Sequence, residues 1–158
     1  MLSASKPLVD PFYQLWFAVR YAHVAAAAVL IGGALLVAVL SLQSDHDVSI
    51  AAAAAYEWIF WIVVGVSVVT GVSNLGLKGD GLLGPDTGWG RALTVKLAGV
   101  LILLPLSLAR SSFVARSRGA GPLRSERPAL VIRALHGATA VLLVAVLWIG
   151  LGLAHGRY

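Results

Sequence analysis

The chain has 158 residues, of which 59% are hydrophobic and 12% are charged. Soluble domains contain about 25% charged residues, so this composition and the mean hydropathy of +0.87 indicate an integral membrane protein. The absence of cysteine excludes disulfides, thiolate metal sites and iron–sulfur clusters. The net charge of +5 does not indicate nucleic-acid binding, because most basic residues lie at the ends of apolar segments, where they meet anionic lipid headgroups.

Four apolar segments predict membrane-spanning helices, because each exceeds the length of about 20 residues that an α-helix needs to cross a bilayer core. In chain order, the predicted helices span about residues 11–42, 49–75, 89–115 and 126–155. Asp10 and Pro11 form a typical helix start, with a carboxylate as N-cap and a proline at the first helical position. Pro105 should bend the third helix, because it removes one backbone hydrogen bond.

Short connections make sequential helices antiparallel neighbours, so we predict an all-α, up-down four-helix membrane bundle. It forms a single transmembrane domain, residues 1–158. The N-terminus, the second loop and the C-terminus then share one side of the membrane, called side A, and the other two loops share side B. A small excess of basic residues on side B predicts that side B is cytoplasmic and that both termini face outside. The N-terminal region does not read as a cleaved signal, so the first helix should remain in the mature protein.

His23 is the first candidate functional residue, because an imidazole inside an apolar span is costly unless something uses it. A rise of 1.5 Å per residue places His23 roughly 12 Å and Lys96 roughly 10 Å from the midplane, both toward side A. Asn74 lies at the side A end of the second helix, and Arg20 should reach side A water or a headgroup. Together they predict a pocket for haem, a quinone headgroup or a metal ion. The alternative is that His23 bonds a neighbouring backbone and Lys96 extends to the headgroups.

The other histidines are candidate metal or haem ligands. His136 lies roughly 10 Å from the midplane toward side B, so His136 and His23 are too far apart to hold one haem between them. A two-haem arrangement would pair His23 with His155 on side A, and His46 with His136 on side B. His46 and its two flanking aspartates could instead bind copper or zinc at the membrane surface, although polar turns often have this composition.

The remaining polar residues suggest structural roles. Glu57 and Arg133 both enter the membrane from side B, so we predict an ion pair between them, with His136 nearby. The segment 116–127 contains four arginines and reads as a solvated loop. Nothing resembles a phosphate-binding loop, a nucleophile triad or a paired-carboxylate site, so soluble hydrolytic or kinase chemistry is excluded and no catalytic residue is predicted.

Three short motifs carry a resemblance to known membrane proteins: Arg20 to His23 followed by Ile31-Gly32-Gly33, Thr70-Gly71, and Gly-Arg-Ala-Leu-Thr-Val-Lys-Leu at 90–97. With them the chain resembles small four-helix proteins of the copper-resistance D (CopD) family and, more distantly, HemJ-type proteins. The first resemblance implies copper handling across the inner membrane. The second implies b-type haem, with a first-helix His and a third-helix Lys that match His23 and Lys96. Because the Leu-Pro-Arg and Tyr-His elements of HemJ are absent, protoporphyrinogen oxidation is not implied.

The leading hypothesis is a bacterial inner-membrane protein, with periplasmic termini, that binds a b-type haem or copper in membrane redox or metal handling. The alternative is a cofactor-free accessory subunit of a larger respiratory or photosynthetic membrane complex, which the small residues on the helix faces favour. Its partners would be the lipid bilayer, a quinone or other subunits of such a complex. A transporter is less favoured, because broken helices at matched positions would be expected.

Overall fold

Four long helices make up most of the computed structural model, which describes residues 10–43, 46–77, 84–119 and 127–157. All four are long and apolar enough to cross a membrane, which confirms the predicted all-α, four-helix membrane class. Their bounds are α1, Pro11–Gln43; α2, His46–Leu77; α3, Gly88–Gly119; and α4, Arg127–Ala154.

α2 and α3 extend further toward side B than the sequence predicts. α2 begins at His46 rather than at residue 49, and Asp47 lies in its first turn. α3 ends at Gly119 rather than at residue 115, and its last turn contains Arg116 and Arg118, which were predicted to lie in a loop. A carboxylate near a helix N-terminus and guanidinium groups near a C-terminus interact favourably with the helix macrodipole, which explains the extra turns.

The other helix ends agree more closely with prediction. The backbone N–H of Phe12 donates a hydrogen bond of 3.0 Å to Asp10 Oδ1, so Asp10 is the N-cap of α1. α4 ends at Ala154, close to the predicted end. Pro105 lies inside α3, which remains helical on both sides of it. Parts of all three loops, residues 44–45, 78–83 and 120–126, lie outside the described residues.

The helices pack in the order α2, α1, α4, α3 around the bundle. α1 packs closely against α2 and α4, α3 packs against α4, and the contact between α2 and α3 is weaker. His23 contacts Thr70, whereas Leu30, further along α1, contacts Tyr56, which comes earlier in α2. α1 and α2 are therefore antiparallel, as predicted, and α1 and α3 occupy opposite corners of the bundle.

Gly33 on α1 allows the ring of Tyr56 on α2 to lie against the α1 backbone. A Cβ atom at Gly33 would lie 2.6 Å from Tyr56 Cδ2, whereas nothing lies within 4 Å of the corresponding position at Gly32. The Tyr56 hydroxyl also donates a hydrogen bond of 2.7 Å to the carbonyl oxygen of Leu30. This close approach sets the register between α1 and α2.

We expect Gly33→Val to destabilise the protein by about 1–3 kcal/mol, because a side chain there pushes Tyr56 away from α1. Gly32→Val is the matched control, because it makes the same change of residue at a position with open space. The thermal unfolding midpoint in detergent should fall for Gly33→Val and stay near the wild-type value for Gly32→Val. Equal midpoints for the two variants would contradict this packing.

Candidate functional site

His23 on α1 is held against α2 through one ring nitrogen. Its Nδ1 lies 3.0 Å from the carbonyl oxygen of Ser67 and 3.0 Å from Oγ1 of Thr70. The Thr70 hydroxyl itself donates to the carbonyl oxygen of Val66 at 2.7 Å. We therefore assign the ring proton to Nδ1, which donates it to Ser67, since a carbonyl oxygen can only accept. This tautomer leaves Nε2 unprotonated, the form in which imidazole binds a metal or a haem iron.

Glycines allow both His23 and Lys96 to lie close to a neighbouring helix. A Cβ atom at Gly71 would lie 3.1 Å from His23 Cε1, and one at Gly150 on α4 would lie 3.2 Å from Lys96 Nζ. Gly71 lies six residues before the end of α2, and Gly150 lies four residues before the end of α4. Both groups therefore lie in the side A half of the bundle, and this region is called the His23 layer here.

Gly99 lies one turn after Lys96 on α3, but it does not make room for the lysine side chain. A Cβ atom at Gly99 would instead lie 2.8 Å from Cγ2 of Val146, so this glycine serves the close packing of α3 on α4. Gly150 on α4 is the residue that makes room for the Lys96 ammonium. The position of Lys96 along α3 could not reveal this contact, because Gly150 belongs to another helix.

The other two residues of the predicted side A set lie at the edge of this layer. The Arg20 guanidinium is 5.2 Å from the ring centroid of Trp16, one turn earlier on the same helix, within the range of a cation–π contact. Asn74 is half-buried one turn after Thr70 on α2. Arg20 thus contacts an aromatic ring of its own helix, and Asn74 shares a helix with the groups that hold His23.

Two of the predicted ligand histidines lie at helix ends. His155 is exposed in the turn after α4, and its Nδ1 donates to the carbonyl oxygen of Leu151 at 2.8 Å. The side chain of His46 lies outside the described residues. Within the described ranges, no three histidine or carboxylate side chains gather as a metal site would require. The two-haem pairing of His23 with His155, and of His46 with His136, stays a prediction.

A second polar layer lies in the side B half, centred on the fully buried Arg110 of α3. Arg110 donates from Nε to Glu57 Oε1 at 2.6 Å and from Nη2 to Glu57 Oε2 at 3.2 Å. Its Nη1 donates to Thr139 Oγ1 at 3.0 Å. The Ser111 hydroxyl also donates to Glu57 Oε2 and accepts a hydrogen bond of 3.0 Å from Trp61 Nε1. The guanidinium and the carboxylate thus have several partners each, as buried charges require.

The predicted ion pair between Glu57 and Arg133 is wrong, because Glu57 pairs with Arg110. With α3 ending at the predicted residue 115, Arg110 would lie only about 8 Å from the helix end. Since α3 continues to Gly119, Arg110 lies about 13 Å from the helix end. The sequence signal that could have identified Arg110 is its position after a mainly apolar stretch of α3, because a charged residue inside a membrane span needs a partner.

His136 lies beside Glu57, as expected, and is fully buried. Its Nδ1 donates to the carbonyl oxygen of Ile132 on the same helix at 2.8 Å. Its Nε2 is 3.7 Å from Glu57 Oε1 and forms no hydrogen bond within the described part of the chain. The ring centroid of Tyr56 is 5.6 Å from that of His136, so an aromatic contact also holds the imidazole in place.

The two polar layers occupy opposite halves of the membrane. Lys96 and Arg110 are separated by 14 positions on α3, which corresponds to about 21 Å along the helix axis. Glu57 pairs with Arg110 in the side B layer, whereas Lys96 in the His23 layer forms no ion pair within the described residues. The His23 layer therefore offers both an imidazole and a cation to a ligand.

The fold and these two layers define the chain as a multi-pass membrane protein with half-buried ionisable groups in the side A half and buried ones in the side B half. Searches against protein-family models, curated proteins and solved structures give no match for the chain.

Proposed function

We propose that the chain binds a b-type haem through His23 in the side A half of a bacterial inner membrane, and that it serves membrane redox chemistry. The observation that carries the proposal is the anchored tautomer of His23, with Nδ1 donating to Ser67 at 3.0 Å. Ligating histidines commonly donate their second ring nitrogen to a carbonyl or a carboxylate. Side B would face the cytoplasm, so both termini would be periplasmic.

The donor set of the His23 layer fits a haem. A b-type haem needs a protein ligand for its iron, which Nε2 of His23 would supply, and partners for its propionate carboxylates, which the Lys96 ammonium would provide. The same imidazole could bind copper, which prefers nitrogen ligands, and copper is therefore the second ligand to test. When bound, a haem supplies one-electron transfer.

The surrounding residues define what the protein contributes. The Ser67 carbonyl oxygen fixes the ring orientation and increases the basicity of Nε2 by accepting the Nδ1 proton. The positive charge of Lys96 stabilises negative charge that enters the layer. His23 and Lys96 are half-buried between apolar helices, so the local dielectric constant is lower than in water, which strengthens both electrostatic effects.

The absorption spectrum of the protein, purified in mild detergent after expression with added haem precursor, tests this proposal. We expect a Soret band and about one haem per chain in the wild type, with both lost in His23→Ala because the axial ligand is gone. His155→Ala is the control, because its imidazole is exposed and contacts only its own helix. A colourless wild type that also lacks copper, or a His23→Ala variant that keeps its Soret band, would overturn the proposal.

A cofactor-free accessory subunit is the second candidate, and the exposure of α2 supports it. Within the apolar part of α2 only 6% of the residues are buried, against 22–28% in the other three helices. Small and apolar residues on such a face suit packing against a helix of another subunit. Co-purification of stoichiometric partner chains from the native membrane, with an unchanged yield for His23→Ala, would favour this function over haem binding.

A further inference from the structure

α2 and α3 leave a groove on the outside of the bundle toward side B, because these two helices pack less closely than the other neighbours. The outer part of the groove has a volume of 530 Å³ and the inner part 390 Å³. Ala54, Trp58 and Arg118 line both parts, so the two are continuous and are called the α2–α3 groove. It lies in the half of the membrane opposite to the His23 layer.

The inner part of the groove presents mainly apolar surface. Its walls include Ala54, Val114 and Ala115, together with the rings of Trp58 and Trp61. Three polar residues also line it. Arg118 belongs to both parts of the groove, and the hydrogen-bonding groups of the other two, Glu57 and Ser111, already have partners. Glu57 accepts from Arg110 and Ser111, and the Ser111 hydroxyl accepts from Trp61 Nε1. An apolar chain therefore fits the inner groove better than a polar headgroup does.

The outer part of the groove presents one charge of each sign. Asp47 lies in the first turn of α2 and Arg118 in the last turn of α3, and both side chains are exposed. The ion pairs of the described residues involve Glu57 and not these two side chains. From Asp47 to Trp61 the groove follows α2 for about 21 Å, enough for a headgroup and most of one leaflet, which is about 15 Å thick.

We propose that the α2–α3 groove binds one phospholipid of the side B leaflet whose headgroup carries a phosphate and a primary ammonium. The Arg118 guanidinium binds the phosphate, for which its planar fork of donors is suited. The Asp47 carboxylate accepts hydrogen bonds from the ammonium. One acyl chain lies in the inner groove against Trp58 and Trp61, where it covers apolar surface that α2 and α3 leave open.

Native mass spectrometry of protein released from nanodiscs tests this proposal, with phosphatidylethanolamine, phosphatidylglycerol and phosphatidylcholine present in equal amounts and with identical chains. We expect one retained phosphatidylethanolamine per wild-type chain. Arg118→Gln should lower retention of phosphatidylethanolamine roughly tenfold, because a charge-assisted hydrogen bond to the phosphate is lost. Asp47→Asn should remove the preference over phosphatidylcholine, whose quaternary nitrogen has no hydrogen to donate.

Two further variants make the test specific to the groove. Arg116→Gln is the control for Arg118→Gln, since Arg116 belongs to the same turn but donates to the Ser112 carbonyl oxygen of its own helix. Ala115→Phe should abolish retention by filling the inner groove, and its exposed position keeps the bundle core unchanged. Equal retention of the three lipids, unchanged retention in Arg118→Gln, or a dimer of the chain in place of a lipid adduct would overturn the proposal.

Discussion

Arg110→Ala is expected to destabilise the protein by about 3–5 kcal/mol, because it leaves the Glu57 carboxylate buried without its charged partner. In the wild type, two nitrogens of Arg110 donate to the two carboxylate oxygens of Glu57, and the guanidinium is fully buried. The Arg110 carbon Cζ also lies 4.1 Å from the ring centroid of Phe60, a cation–π contact that the variant loses. Denaturant unfolding in mixed micelles measures the change.

A double variant distinguishes the cost of leaving the Glu57 carboxylate unpaired from the stabilisation that the ion pair itself contributes. Glu57→Met combined with Arg110→Met removes both charges together, so much of the stability lost in Arg110→Ala should return. Thr139 tolerates this change, because its hydroxyl donates to the Leu135 carbonyl oxygen at 2.8 Å. Arg116→Ala, at an exposed position of the same helix, should stay within about 0.5 kcal/mol of the wild type. If Arg110→Ala and Arg116→Ala have the same free energy of unfolding, the ion pair of Arg110 with Glu57 is hydrated rather than buried.

The membrane bundle could be predicted from the sequence because length and apolar character decide which segments cross a bilayer. The positions of the helix ends were predicted less accurately, because the stability of a terminal turn depends on a few charged side chains. Asp47 and Arg118 stabilise the ends of α2 and α3 through the helix macrodipole, a contribution of about 0.3–1 kcal/mol each. Because α3 continues to Gly119, Arg110 lies one helical turn further from the helix end than the predicted end at residue 115 would place it.

The depth of the candidate site in the membrane could be predicted from the sequence, but the contacts of its side chains could not. A rise of 1.5 Å per residue indicated that His23 and Lys96 share one half of the membrane. Which groups face them depends on the rotation of each helix about its axis, which residue spacing alone leaves open. The contact of His23 with Ser67, and that of Lys96 with Gly150, became visible only with the helices packed.

The two layers differ in net charge. Arg110 and Glu57 neutralise each other, so the side B layer carries no net charge when His136 is neutral. The His23 layer has the Lys96 ammonium and no carboxylate among the residues that contact His23 or Lys96 in the structure. An anionic group such as a haem propionate would therefore be attracted to the His23 layer more strongly than to the neutral layer around Arg110.

If His23 binds a haem as proposed, Gly71→Leu is expected to weaken that binding roughly tenfold while leaving the His23 imidazole in the chain, because outer contacts of a ligating histidine have effects of this size. A Cβ atom at Gly71 would lie 3.1 Å from His23 Cε1 and 3.7 Å from Nδ1, so a leucine side chain must displace the ring. The displaced ring then loses its hydrogen bond to the Ser67 carbonyl oxygen. Haem titration followed at the Soret band measures the affinity.

Gly65→Leu is the matched control, because it places the same side chain on α2 at a position where nothing lies within 4 Å. Its haem affinity should equal that of the wild type, and both variants should unfold at similar temperatures without haem. A Gly71→Leu variant that binds haem as tightly as Gly65→Leu would show that the iron is not bound by His23 in this orientation. A loss of folding in Gly71→Leu alone would instead assign Gly71 to helix packing, since His23 would then have no space to move.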